Sequence, residues 1–113
     1  EAEAWFRRSL AEAETNGNIE QGAKARANLA LAARGRGDLD EALQLLEEAA
    51  TLAAPLTARY LQVQIDLWLA EVRLARGERR AARMALGQVE ERLAGGDYRR
   101  LAEWAARLRM ALA

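Results

Sequence analysis

The chain of 113 residues contains no cysteine and no histidine. The first absence excludes disulfides and thiolate metal sites, and nothing calls for an oxidising compartment. The second removes the commonest general base, so the familiar nucleophilic dyads have no members here. Carboxylates, hydroxyls, Lys24, Tyr60 and Tyr98 remain. Glu47/Glu48 and Glu90/Glu91 are sequence neighbours, and neighbours in a helix diverge by about a hundred degrees. No catalytic residue, cofactor or metal site is therefore expected, and the chain reads as a non-enzyme. Apolar runs fall short of the roughly eighteen residues that a membrane span needs, and no signal peptide opens the chain. A cytoplasmic setting without a membrane contact is the expectation. The first residue is Glu1 rather than Met, inside a helical pattern, so the chain is expected to be one domain excised from a larger protein.

Proline and glycine are scarce, and their placement is informative. Of eight glycines and one proline, all but Gly22 and Gly87 sit at five breaks: Gly17, Gly35/Gly37, Pro55, Gly77 and Gly95/Gly96. The stretches between them are rich in Ala, Leu, Arg and Glu, and β-branched residues are few, which is an all-α composition. Six helices are predicted, over about 2–15, 18–34, 39–53, 56–76, 78–94 and 98 to the end. Asn18 suits an N-cap, with Gln21 placed to reach back to it. Asp38 caps the third helix, with Glu41 in the capping-box position. Pro55 stops the third helix and opens the fourth at its first turn, and Gly95-Gly96-Asp97 repeats the break-and-cap pattern. Apolar residues cover nearly the whole circumference of the fourth helix, from Leu56 through Leu61, Ile65 and Trp68 to Leu74. Such a helix is expected at the centre of the fold.

Charge is balanced overall but uneven along the chain. Residues 1–55 carry a net −4 and residues 56–113 a net +4. Such a dipole steers head-to-tail packing, or an acidic partner, toward the C-terminal half; solvated helix faces are the plainer reading. Arginine outnumbers lysine sixteen to one, which fits the codon usage of a GC-rich bacterial genome. Arg79, Arg80 and Arg83 open the fifth helix, and Arg99 and Arg100 open the sixth. Cations at helix N-termini oppose the helix dipole at about a few tenths of a kcal/mol each, which hints at a use. A nucleic-acid contact is one candidate, although a neutral chain is an unusual nucleic-acid binder.

Sliding the chain by forty residues brings Gly37 onto Gly77, Ala42 onto Ala82, Leu46 onto Leu86, Leu29 onto Leu69 and Ala30 onto Ala70. The order of small and large residues over 37–49 resembles the second half of a tetratricopeptide repeat. Ala42, Leu46 and Ala49 match that family's small–large–small positions, and Leu29 with Ala30 match the large–small pair of its first helix. Ala2, Phe6 and Ser9 repeat the second-helix spacing, so the chain starts partway through a repeat. Two departures stand out: the period is forty rather than thirty-four, and Arg73 occupies a place that the family fills with an apolar residue. Longer repeats of this kind are similar to sensor regions of large bacterial transcription regulators, and a HEAT-like array is the rival with a comparable period.

The resemblance implies a right-handed superhelical stack of antiparallel helix pairs that binds a protein or peptide without catalysis. It implies that the first helix of each pair lines a concave face, here with Lys24, Asn28 and Leu31, then Gln64, Trp68 and Glu71, then Trp104 with Arg107 or Leu108. Lys24 and Asn28 share the four-residue spacing of the carboxylate clamp of some family members, but lie three residues before the matching positions, Ala27 and Leu31. Trp68 and Trp104 suit either aromatic anchors or core. Self-association is a further reading, because Trp5, Phe6 and Trp104 would be left uncapped at the ends of the stack.

Overall fold

A computed structural model describes residues 2–113, so the expected helical setting of Glu1 lies outside the described residues. Six helices follow one another: α1 (Ala2–Asn16), α2 (Ile19–Gly35), α3 (Leu39–Ala53), α4 (Arg59–Ala75), α5 (Arg79–Leu93) and α6 (Arg99–Leu112). No strand occurs among the described residues. Each helix packs on the next, giving an all-α stack of helix pairs with principal extents of 41 × 31 × 21 Å.

The breaks divide into two kinds. After α2 and α4 the chain closes the same turn, with Gly37 and Gly77 both at φ 84°. In the first, Asp38 N–H donates to the Ala33 carbonyl and Gly37 N–H to that of Arg34, both at 2.9 Å. Glu78 and Gly77 repeat this at Arg73 and Leu74. This is the Schellman arrangement, and it needs a residue that tolerates the left-handed region. Asn18 and Asp38 accept from the backbone N–H of Gln21 and Glu41 as expected. The reciprocal halves of the two capping boxes are replaced. The Gln21 amide instead donates to the Ser9 carbonyl and hydroxyl on α1, and Glu41 takes Arg36 at 2.5 Å.

After α3 and α5 the connections are longer and lack side-chain caps. α4 starts at Arg59 rather than near Leu56, so Pro55 lies in the turn and not in the first helical turn. The Gln62 amide explains the delay, donating to the carbonyls of Ala53 at 2.9 Å and Leu56 at 2.7 Å and satisfying the frayed end of α3. Tyr98, not Asp97, occupies the N-cap of α6, and no side-chain bond caps it.

Two core clusters share α4. Leu61, Ile65 and Val72 pack with Ala23, Ala27 and Ala30 of α2 and with Ala42, Leu46 and Ala49 of α3. Val63, Leu67 and Ala70 lie on its other side, with Ala82, Leu86 and Val89 of α5 and Leu101, Ala105 and Leu108 of α6. Burying one such aliphatic side chain is worth roughly 1.5–3 kcal/mol, and α4 does so on two faces. It is the centre of the stack, as its all-round apolarity predicts.

The even-numbered helices approach one another, α4 meeting both α2 and α6. The backbones of α1, α3 and α5 stay apart among the described residues, bridged by side chains such as Arg7 and Glu41 at 4.0 Å. Turn arginines tie that side together. Arg36 pairs with Glu3 and Glu41, and Arg76 pairs with Asp40 and Glu78. Arg73 is charged because it works on this ladder, reaching Glu47 at 3.2 Å and Glu78 at 3.1 Å. Exposed pairs of this kind contribute little singly. No helix among the described residues is long and apolar enough to cross a membrane.

Candidate binding face

With its two flanks committed to neighbouring helices, α4 leaves two narrow stripes uncommitted. One carries Tyr60, Gln64, Trp68 and Glu71, spaced four, four and three residues apart, and it faces α2 and α6. The other carries Gln62, Asp66 and Arg73 and faces the odd-numbered helices.

Glu71 is the hub of the first stripe. Arg34 of α2 donates to one of its oxygens at 2.6 Å, and the Trp104 indole N–H of α6 donates to the other at 2.5 Å. Each carboxylate oxygen therefore has a charged or indole donor, and three helices are joined at one side chain. Trp104 also lies edge-on to Trp68, with ring centroids 5.5 Å apart and an interplanar angle of 62°. Eight residues earlier on α4, Tyr60 meets Tyr98 in the same manner, at 6.0 Å and 66°. Such edge-to-face pairs contribute about 0.5–1.5 kcal/mol beyond the area they bury.

Of the residues expected on this face, Trp68, Glu71 and Trp104 are brought together. Gln64 lies between the two aromatic pairs and is half-buried. Asn28 and Leu31 of α2 are half-buried too, while Lys24 is exposed and pairs with Glu20 at 3.0 Å one turn earlier. Arg107 is exposed, and forty residues earlier in the repeat stands the buried Leu67; Leu108, its alternative, is buried. Trp104 is not left uncapped, since it packs against the second core cluster and is anchored by Glu71. Arg34, Tyr60 and Tyr98 are absent from the expected set. Arg34 and Tyr60 continue the same helical stripes, three residues beyond Leu31 and four before Gln64, so periodicity carried a signal for both.

The opposite stripe lines an open pocket of about 270 Å³ between α3, α4 and α5, walled by Ala50, Ala53, Ala54, Gln62, Asp66 and Arg92. Burial pushes the Asp66 carboxyl above its ordinary range, and Arg92 at 3.3 Å opposes the shift. One repeat earlier, Ala13, Gly22, Arg26 and Leu52 line a matching pocket of about 290 Å³. Among the described residues no cluster of acidic side chains is arranged to hold a metal ion.

The arginines that open α5 have a structural use. Arg79 and Arg83 donate to the Leu112 carbonyl at 3.1 and 3.0 Å, so the antiparallel neighbour's C-terminal end answers the charge. Arg80, Arg99 and Arg100 are exposed. At the far end of the stack Trp5 is 63% exposed, with the Arg8 guanidinium 5.9 Å above its ring. No protein-family model matches the chain, and no curated protein or solved structure does.

Proposed function

We propose that the chain is a tetratricopeptide-type scaffold that binds a protein or peptide, without catalysis, through the face shared by α2, α4 and α6. In this reading it serves as the sensor or interaction region of a bacterial regulator in the cytoplasm. One observation carries the reading. The sequence has three Trp, two Tyr and one Phe, and Tyr60, Trp68, Tyr98 and Trp104 gather on this face, whereas α3 and α5 have no aromatic residue. Aromatic side chains bring large contact area at low entropic cost, which is why binding hot spots are rich in them. The matched small and large positions of the two repeats support the family reading, and the lack of histidine and cysteine supports the non-catalytic one.

The test is an array of peptides of varied composition, probed with the labelled chain. Bound peptides are expected to lose affinity on Trp68→Ala and on Trp104→Phe and to keep it on Met84→Ala, a change at an exposed position of α5. A chain that selects no peptide, or one whose selected peptides ignore both Trp substitutions, removes the proposal.

Trp5 favours a second reading, self-association through the outer side of α1. Head-to-tail growth of the stack is disfavoured, because Glu103 and Arg107 of α6 occupy the places where α4 buries Val63 and Leu67. Sedimentation over a concentration series tests self-association, and a monomer at every concentration discards it. A nucleic-acid contact would fall to Arg80, Arg99 and Arg100, and no affinity for duplex DNA at low salt sinks it.

A further inference from the structure

The geometry points to a proline-rich segment in the polyproline II conformation as the ligand of the aromatic strip between α4 and α6. The inference rests on the peptide-binding reading above and names the peptide's chemistry.

Three observations lead to it. First, the aromatic residues form two stations and not a single cage. Tyr60 with Tyr98 makes one and Trp68 with Trp104 the other, and eight helical residues separate Tyr60 from Trp68. At 1.5 Å per residue the stations stand roughly 12 Å apart. Along α6 the six residues from Tyr98 to Trp104 give roughly 9 Å. A polyproline II chain, rising about 3.1 Å per residue with three residues per turn, returns to the same face every roughly 9 Å, so proline rings one turn apart reach both stations.

Second, the strip is electrically closed. Glu71 is satisfied by Arg34 and Trp104, and on the neighbouring α2 Lys24 is matched by Glu20. No unmatched charge on the strip calls for a cationic or anionic ligand. Arg59 and Arg99, the exposed cations next in sequence to Tyr60 and Tyr98, are helix neighbours of those rings and so leave the chain about a hundred degrees away from them. The exposed Arg107 lies on the stripe of α6 equivalent to the buried Leu67 stripe of α4.

Third, the polar groups of the strip are rich in donors: the Tyr60 and Tyr98 hydroxyls, the Gln64 amide and the Trp68 indole N–H. No buried side-chain polar atom lacks a partner among the described residues, so donors of the strip that are not bonded internally face solvent. A proline-rich backbone is the complementary case, since proline has no N–H and presents carbonyl acceptors alone. It is also stiff before binding, so a shallow surface with 42% of Tyr60 exposed need not supply ordering free energy.

The experiment uses the whole chain with two labelled peptides of about ten residues, an oligoproline and a proline-free peptide of Ala, Ser and Gln. Tryptophan emission and peptide anisotropy are both followed. Oligoproline is expected to saturate the chain and shift tryptophan emission, about tenfold tighter than the proline-free peptide, with no change on raising salt. Tyr60→Ala is expected to weaken it about tenfold, and Tyr60→Phe, which keeps the ring and removes the hydroxyl, about threefold. Equal affinity for the two peptides overturns the inference. So does a Tyr60→Ala chain that is fully helical by circular dichroism and binds undiminished, or a native chain that does not respond to oligoproline. If the array yields proline-free peptides that depend on Trp68, the peptide-binding reading stands and this inference alone falls. If no peptide of either class binds, both fall.

Discussion

The pairs α2–α3 and α4–α5 build the same hairpin from side chains of different size. Ala23, Ala27 and Ala30 on α2 become Val63, Leu67 and Ala70 on α4, while Ala42, Leu46 and Ala49 on α3 become Ala82, Leu86 and Val89 on α5. All twelve are buried. Alanine on α2 lets the helix backbone itself approach α3, and backbone contact along this pair is the most extensive among the described residues. Val63 and Leu67 hold α5 further off and fill the space between. The repeat thus conserves which positions face inward, while the volume at each position sets how near the helices come.

Removing Leu67 tests the spaced pair most severely. Leu67→Ala is expected to cost about 3 kcal/mol in denaturant unfolding, because α4 and α5 cannot close the cavity without moving away from their other neighbours. A loss within experimental error means that the pair is free to collapse to the α2–α3 spacing. Ala27→Leu is the reverse test, and its expected cost is about 2 kcal/mol by overpacking. If the two pairs are interchangeable in volume, it is neutral instead.

A smaller contrast concerns helix starts. Asp38 bonds the backbone of Glu41 at 3.1 Å, whereas Glu78 one repeat later bonds only arginines. Asp38→Ala is expected to cost about 1 kcal/mol, and Glu78→Ala less, since its partners are exposed. Equal losses would show that the cap bond is not what separates them.

The smallest effect is in titration. Asp66 stands where the preceding repeat has Arg26, and burial raises its pKa against the pull of Arg92. The folded chain then holds this proton more tightly than the unfolded one, so ionised Asp66 opposes folding above its raised pKa, and that opposition fades as pH falls through it. Glu90 behaves oppositely. Hydrogen bonds from Arg109 lower its pKa, so it supports folding above the unfolded value and loses that support as pH falls through the lowered one. Carboxyl chemical shifts followed against pH are expected to place Asp66 above an ordinary aspartate and Glu90 below an ordinary glutamate. Opposite displacements would refute both assignments.

Much of the fold was legible because it rests on short-range signals. Gly37 and Gly77 mark turns that only a left-handed residue closes easily, and Asn18 and Asp38 cap the helices that follow them. The circumference of α4 marked it as central. What escaped were choices among distant partners. Gln21 had a local acceptor in reach, yet took Ser9 across the α1–α2 pair. Gln62 set the start of α4 by bonding carbonyls six and nine residues behind it. On the candidate face, the shared stripe of Trp68, Glu71 and Trp104 followed from periodicity and the family likeness. The place of Arg34 on the α2 stripe was legible in the same way, but its partner was not, because a long exposed arginine at a helix end has many possible carboxylates and spacing does not choose between them.

The sequence alone therefore established six helices, their breaks and their inward-facing positions, because each follows from backbone conformation and periodicity within a few residues. The pairing of Glu71 with both Arg34 and Trp104, the two aromatic stations and the use of Arg79 and Arg83 at the end of α6 belong to the packed molecule. They join residues about thirty or more positions apart, and only the lie of α2, α4, α5 and α6 against one another brings those groups within reach.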